Sequence, residues 1–253
     1  MQRKIALVSG ATSGFGYAIA KGFAANNFNV IITGRRADRL NALVEELKKD
    51  FDVNALPLCF DIRDKEQVRQ AVSSLSQEWN LIDVLVNNAG LAAGLDFFHE
   101  ASLDDWENMI DTNVKGLLFL SRQIVHGMVE RKQGHVINIG STAGKYVYEK
   151  GNVYNATKFA VDALSQAMRI DLLRHNIRVT AVHPGAAETE FSNVRFKGDE
   201  QKATNVYKGF QPLTANDVAD VVLYCAMLPQ HVCVNDIVVT PTAQANPYYL
   251  NRQ

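Results

Sequence analysis

Cysteine is scarce and odd in number: Cys59, Cys225 and Cys233 are the only three, and their spacing pairs no metal ligands. A disulfide framework of the secreted kind is thereby excluded, and the reading that remains is buried small thiols in a reducing cytoplasm. A surplus of charge is lacking too. Lys and Arg total 26 against 27 for Asp and Glu, a formal net charge of -1, so no global field draws nucleic acid or an anionic membrane surface. Any anion has to be met by a local site. Nowhere do about 18 apolar residues follow one another, which excludes an ordinary membrane-spanning helix. The start, Met1-Gln2-Arg3-Lys4-Ile5-Ala6-Leu7-Val8, has too short an apolar run for a secretory signal, so no export is expected. Internal repeats and low-complexity tracts are absent.

What is present is a rhythm. Within 253 residues, 47% of them hydrophobic, there is material for one sizeable core, and one domain spanning 1–253 is the expectation. Short, nearly continuous apolar runs at 5–9, 29–33, 55–60, 83–87, 135–140, 178–183 and 236–240 read as strands buried on both faces. Helical periodicity fills the intervals near 15–26, 37–50, 65–78, 104–131, 152–175 and 215–228. The alternation predicts an α/β fold: a doubly wound, seven-stranded parallel sheet of the Rossmann type with helices on both faces. Asp64 followed by Gln67 resembles a capping box, and Thr214 and Asn216 before Asp217 mark another helix start. Only 188–211 breaks the period; an insertion after the sixth strand lies where ligands bind in such folds and reads as a cover, with a solvated loop as the alternative. The tail from Pro241 carries Tyr248, Tyr249 and Leu250, apolar enough to pack on this subunit or a neighbour.

Ser9-Gly10-Ala11-Thr12-Ser13-Gly14-Phe15-Gly16 joins the first strand to the first helix. Glycines at 10, 14 and 16 allow a sharp turn and close approach of a pyrophosphate, with Thr12, Ser13 and Phe15 between them and helix amides facing the anion. Spacing and strand–helix context together point to a dinucleotide. The second strand ends in Gly34-Arg35-Arg36, where an NAD site would carry an acid for the ribose hydroxyls. Two arginines there suit a 2′-phosphate instead, so the expected cofactor is NADP; for Arg36, a solvated charge opening the helix with Asp38 and Arg39 is the alternative. Asp61, with Ile62 beside it, either accepts from the adenine amino group or caps the next turn. Asn87-Asn88-Ala89-Gly90 ends the fourth strand with small residues against which ribose can lie.

Tyr154 and Lys158 fall one helical turn apart, so the ammonium and a positively charged nicotinamide are expected to draw the phenol down from its ordinary pKa of about 10 toward a working acid/base. Ser141, at the end of the fifth strand, can hold the reacting oxygen. Asn113 lies in an apolar helical stretch where an amide needs partners, and is expected to order water beside Lys158. No metal is required by this chemistry.

These residues resemble the short-chain dehydrogenase/reductase family over nearly the whole chain: Ser9–Gly16 as its glycine motif, Asn87–Gly90 as its Asn-Asn-Ala-Gly turn, and Asn113, Ser141, Tyr154 and Lys158 as its catalytic tetrad. The resemblance implies sheet order 3-2-1-4-5-6-7, homotetramers, Lys158 gripping ribose, a Pro184-Gly185 segment meeting the nicotinamide amide, and Thr189 near the phosphates. Asn138–Gly144, Gly151–Tyr154 and Glu190–Asp199 are similar to NADP-dependent 3-hydroxy acid dehydrogenases, which act on serine, allo-threonine and malonic semialdehyde or 3-hydroxypropionate. Pro184–Phe191 is one residue shorter than in that subgroup. A substrate carboxylate would need a cation, for which Arg195 or Lys197 is the candidate. The rivals are a reductase of another carbonyl, such as a ketoacyl thioester or larger ketone, and a non-catalytic NADP-sensing protein on the same fold.

Overall fold

The computed structural model describes residues 3–253, so Met1 and Gln2 of the amino-terminal reading lie outside the described residues. The chain alternates strand and helix from the start. Strand β1 (Ile5–Ser9) leads into α1 (Gly14–Ala25), β2 (Asn29–Gly34), α2 (Ala37–Phe51), β3 (Ala55–Cys59), α3 (Lys65–Ser73) and β4 (Ile82–Asn87). The second half continues with α4 (Leu103–Ile110), α5 (Leu117–Arg131), β5 (Gly134–Ile139), α6 (Asn152–Leu172) and β6 (Ile177–Pro184). Two short helices, α7 (Phe191–Arg195) and α8 (Glu200–Asn205), precede α9 (Ala215–Met227) and β7 (Asp236–Val239). All seven strands form one parallel sheet in the order β3-β2-β1-β4-β5-β6-β7, as the resemblance implied.

Alternation along each strand divides the core in two. Ala6, Val8, Val30, Ile32, Val84 and Val86 point to one face and meet Ile19 and Phe23 of α1, Leu40 and Leu47 of α2 and Val222 of α9. Ile5, Leu7, Ile31, Leu85, Val136 and Val179 point to the other and meet Val68 of α3 and Leu120, Ile124 and Met128 of α5. Both faces being covered, the strands had to read as continuous apolar runs. The chain winds outward from β1 through β2 to β3, then returns to lay β4 on the opposite side of β1. At that reversal the loops after β1 and β4 separate, and a crevice opens at the carboxyl edge.

The sequence boundaries hold to within a residue or two for most elements, with three corrections. The helix expected at 104–131 is two helices joined by a π-helical turn over Asp111–Gly116, so Asn113 sits in that turn. The helix expected to reach 78 stops at Ser73. Its start is capped by Asp64, which accepts from the amides of Glu66 and Gln67, but Gln67 Oε1 accepts from Asp61 N rather than from Asp64 N, so no reciprocal box forms. Thr214 and Asp217 do form one at the start of α9. The tail packs on its own chain: Arg252 donates to the carbonyls of Val206 and Lys208, while Tyr248 and Tyr249 stay exposed. No described helix is long and apolar enough to cross a membrane.

Candidate active site

A cavity of about 530 Å³ opens at the carboxyl edge where β1 and β4 diverge. Its wall gathers most of the residues singled out from the sequence; Gly16 and Asn113 stand directly behind it, and Asn87 and Lys197 are not part of it. Gly10 turns the chain off β1 at φ +67°, a left-handed conformation that favours glycine. A side chain at Gly16 would collide with the carbonyl of Gly10, so the turn and the first coil of α1 are pressed together. Asn88 locks this arrangement: its Nδ2 donates to Ser9 O at 2.8 Å, and Ser9 Oγ accepts from the amides of Asn88 and Ala89 at 3.0 Å. Ser13, the first residue before α1, makes no side-chain cap, which leaves helix amides free to face an anion. Thr189 lies across the mouth, within contact of the space beside Gly14. Turn, open amides and missing side chains fit a pyrophosphate.

The arginines divide their work. Arg36 is not a solvated charge: its Nη2 donates to Thr12 Oγ1 at 2.6 Å and Ser13 Oγ at 3.1 Å, fixing the guanidinium beside the glycine turn. Arg35 is the freer of the two, 60% exposed along its side chain and 4.0 Å from Asp61. No carboxylate projects from the end of β2, so the donor set suits a 2′-phosphate rather than paired ribose hydroxyls. Asp61 lines the cavity and closes the next turn as well. Its Oδ1 accepts from Arg63 N, and the Arg63 guanidinium closes on it at 2.5 Å, holding the carboxyl below its ordinary range. Arg63 was not anticipated because it lies past the strand end, in a turn without period.

The four chemical residues converge from three elements. Tyr154 and Lys158 rise from α6, Ser141 ends the β5 edge, and Asn113 supports them from the π-helical turn. Lys158 is buried with its Nζ donating to Ile139 O at 2.9 Å, and burial pushes its pKa down to about 8. The expectation that Lys158 acidifies Tyr154 does not hold for the protein by itself. Its ammonium lies 6.0 Å from the centre of the Tyr154 ring. Burial drives the phenol above its ordinary value, and the groups pulling the other way are the Ser141 hydroxyl and the Arg195 guanidinium. Desolvation of the anion outweighs both. The Asn113 amide is anchored by protein: Oδ1 accepts from Leu91 N at 2.8 Å, and Nδ2 donates to Leu91 O and Thr157 Oγ1 at 2.8 and 3.0 Å. It pins the loop after β4 to α6. Both Asn113 Oδ1 and Lys158 Nζ border the open side of Gly90.

The segment after β6 contributes residues between Thr189 and Arg195, with Val206 and Tyr207, to the cavity lining. Arg195, the last residue of α7, donates to Tyr148 Oη at 3.0 Å and to Gly94 O, and its guanidinium carbon lies 5.6 Å from the ring centres of both Tyr148 and Tyr154. Lys197 is excluded as its equal: it turns outward to Asp105 at 2.8 Å. Phe191 packs on Tyr154 with ring centres 5.7 Å apart, and Ser192 and Tyr207 share a hydrogen bond at 2.6 Å. Tyr148, Phe191, Tyr207 and Gln244 were not singled out from the sequence as site residues, since segments without a period do not betray which residues face in. Gln244 Oε1 accepts from Ala186 N at 2.7 Å and fills the space that a side chain at Gly185 would need, which fixes Pro184-Gly185 against the tail. Behind Ser141, His183 Nδ1 lies 3.3 Å from the serine carbonyl, while its Nε2 faces Asp162 and Asp236. Lys145 Nζ bridges those two carboxylates at 3.0 and 2.5 Å.

Residues 4–200 match the short chain dehydrogenase family. Over 242 residues the chain is 49% identical to the NADP-dependent 3-hydroxy acid dehydrogenase YdfG of Salmonella typhimurium, covering 95% of this chain and 96% of that one. It is 42% identical over 239 residues to the serine 3-dehydrogenase of Rhizobium radiobacter, with 94% of each covered. Among solved structures, the closed form of a serine dehydrogenase complexed with NADP+ superposes with a TM-score of 0.92 at 46% identity, covering 98% of this chain and 100% of that one.

Proposed function

Since this chain belongs to the short-chain dehydrogenase family, we propose that it uses NADP to move a hydride to or from the hydroxyl-bearing carbon of small 3-hydroxy acids such as serine, allo-threonine and 3-hydroxypropionate. The observation that carries this reading is a cation beside the phenol: Arg195 and Tyr148 stand next to Tyr154 in the cavity wall, within reach of a carboxylate separated by one carbon from the carbon that bears the reacting alcohol. A half-buried guanidinium beside the reacting phenol is a better neighbour for an acid than for a neutral ketone.

Bound NADP supplies the hydride acceptor, or in its reduced form the donor. The glycine turn from Gly10 to Gly16, with Thr189 beside it, would receive the pyrophosphate, Arg35 and Arg36 the 2′-phosphate, and Asn88-Ala89-Gly90 and Pro184-Gly185 the ribose and nicotinamide side. Ser141 Oγ holds the substrate oxygen. Tyr154 gives its phenolic proton to that oxygen when a carbonyl is reduced and removes one when an alcohol is oxidised. Lys158 holds ribose hydroxyls and keeps positive charge near the phenol, and Asn113 keeps the loop at Leu91 in register with α6. The tail and cover exclude water. The chain works as a single catalytic domain in the cytoplasm, its cysteines unpaired, although only Cys225 is buried as expected and Cys59 and Cys233 are exposed. Exposed apolar residues on α4 to α6, among them Leu103, Leu118, Phe159 and Ile170, support assembly into a homotetramer.

The test is a substrate panel with the purified protein: NADP reduction by serine, allo-threonine and simple 3-hydroxy acids, and NADPH oxidation by malonic semialdehyde, against ketoacyl thioesters and larger ketones. The acids should turn over with NADP and not with NAD. Replacing Arg195 by Ala should raise KM for an acidic substrate by ~10-fold or more, the loss expected for a charged hydrogen bond. Turnover of neutral ketones alone would replace the 3-hydroxy acid reading, and tight NADPH binding without any turnover would favour a sensor.

A further inference from the structure

Glu190, immediately before α7, reaches across the mouth of the cavity to the arginines at the start of α2, more than 150 residues away in sequence. Its Oε1 and Oε2 accept from Arg39 Nη1 at 2.9 and 3.1 Å, and its Oε2 lies 3.4 Å from Arg36 Nη1. Arg36 is the same guanidinium that Thr12 and Ser13 fix beside the glycine turn. Partial desolvation works against the charge on Glu190, yet Arg39 and Arg36 hold the carboxyl below its ordinary range, so it is an anion at neutral pH. Among the described residues, Glu190 is the only carboxylate paired with Arg36. An anionic side chain from the cover therefore occupies the guanidinium to which the cofactor's own anion must come.

We propose that Glu190 is a specificity-determining residue that acts as an internal stand-in for the 2′-phosphate, neutralising Arg36 and Arg39 in the free protein and giving way only to a cofactor that carries that phosphate. The proposal rests on the reading that Arg36 receives the 2′-phosphate. A phosphate monoester carries about −1.5 to −2 charge and three acceptor oxygens, against one charge and two oxygens for a carboxylate, so it displaces Glu190. The ribose hydroxyl of NAD, neutral and a weaker acceptor, does not. Release also loosens the cover, because α7 begins at Glu190, whose carbonyl accepts from Val194 N, and carries Phe191 and Arg195 toward Tyr154. Recognition of the 2′-phosphate is thereby felt at the substrate end.

The experiment measures dissociation constants of NADPH, NADH, 2′,5′-ADP and 5′-AMP for wild type, Glu190→Gln and Arg36→Ala. An exposed ion pair contributes up to about 1 kcal/mol, which is about fivefold in an equilibrium constant. Glu190→Gln should therefore tighten NADPH and 2′,5′-ADP by ~2–5-fold, leave NADH and 5′-AMP unchanged, and lose its advantage as salt rises. In hydrogen exchange, 2′,5′-ADP should speed the amides of 191–195 in wild type and not in Glu190→Gln, where they are already fast; no difference between the two overturns the link to the cover. Equal tightening of phosphorylated and unphosphorylated ligands, or none, overturns the stand-in role. Arg36→Ala separates the two ideas: a preserved NADPH-to-NADH ratio defeats the Arg36 reading itself, whereas a collapsed ratio beside an inert Glu190→Gln defeats only the competition.

Discussion

Burial makes Tyr154 a reluctant acid. Its ring packs against Phe191, and removal from water raises the phenol's pKa despite Ser141 and Arg195. The sign of the pH effect follows. Giving a proton to a carbonyl oxygen needs the neutral phenol, which is the dominant form throughout the neutral range. Taking a proton from an alcohol needs the phenolate, whose fraction grows about tenfold per pH unit below the pKa. Alcohol oxidation should therefore climb steeply with pH across the neutral range, while carbonyl reduction stays flat over the same range. Initial rates in both directions from pH 6 to 9 check this, and a flat oxidation profile would remove Tyr154 from the proton path. Tyr154→Phe should lower kcat by about 10²–10⁴-fold while NADPH still binds. The residue pair was legible in the sequence from its helical spacing. The direction of the phenol's shift was not, because desolvation depends on what the cover brings down over it.

At the scale of the element, the π-helical turn Asp111–Gly116 is the feature that periodicity missed. An amide in an apolar stretch advertised a need for partners, and Asn113 has them in Leu91 and Thr157, one from the loop after β4 and one from α6. Neither could be paired with it by counting along the chain. Asn113→Ala would leave the buried N–H and C=O of Leu91 unpaired, at about 1–3 kcal/mol each. Urea unfolding should report a loss of a few kcal/mol, and hydrogen exchange should place the added opening at 89–93. Thr214 gives a contrast, since its capping box with Asp217 is local and the helix start there, though not the box, was visible in sequence. Thr214→Ala should cost about 1 kcal/mol in the same assay and leave kcat untouched, because α9 packs on α1, away from the cavity.

For the whole molecule, the decisive fact is a sheet covered on both faces, which buries polar groups along with apolar ones. His135, on β5, hydrogen-bonds Thr180 through one ring nitrogen and leaves the other without a partner. Burial, with Arg178 nearby, pushes its pKa down to about 3. The unfolded chain, where a histidine titrates near 6.5, then binds more protons than the folded one between those two values, so stability is full above about pH 6.5 and falls as the pH drops toward 3. From pH 7 to 5 this one group should remove about 2 kcal/mol from the unfolding free energy. Urea titrations at both pH values check it, and His135→Gln should flatten the slope. The proposed homotetramer predicts four times the chain's 28.0 kDa by light scattering, and a monomer at micromolar concentration would discard it.

The sequence by itself determined the rhythm of strands and helices, the glycine turn, the acid-free end of β2 and the spacing of Tyr154 and Lys158, because each is written in periods or offsets within about ten residues. Only the tertiary structure decided that Asn113 serves Leu91, that Arg195 rather than Lys197 turns inward to Tyr148, and that Glu190 lies on Arg36 and Arg39. Those pairings join residues 22 to 154 positions apart across the crevice at the carboxyl edge. Their choice is made by packing and desolvation, which act through space and leave no period in the chain.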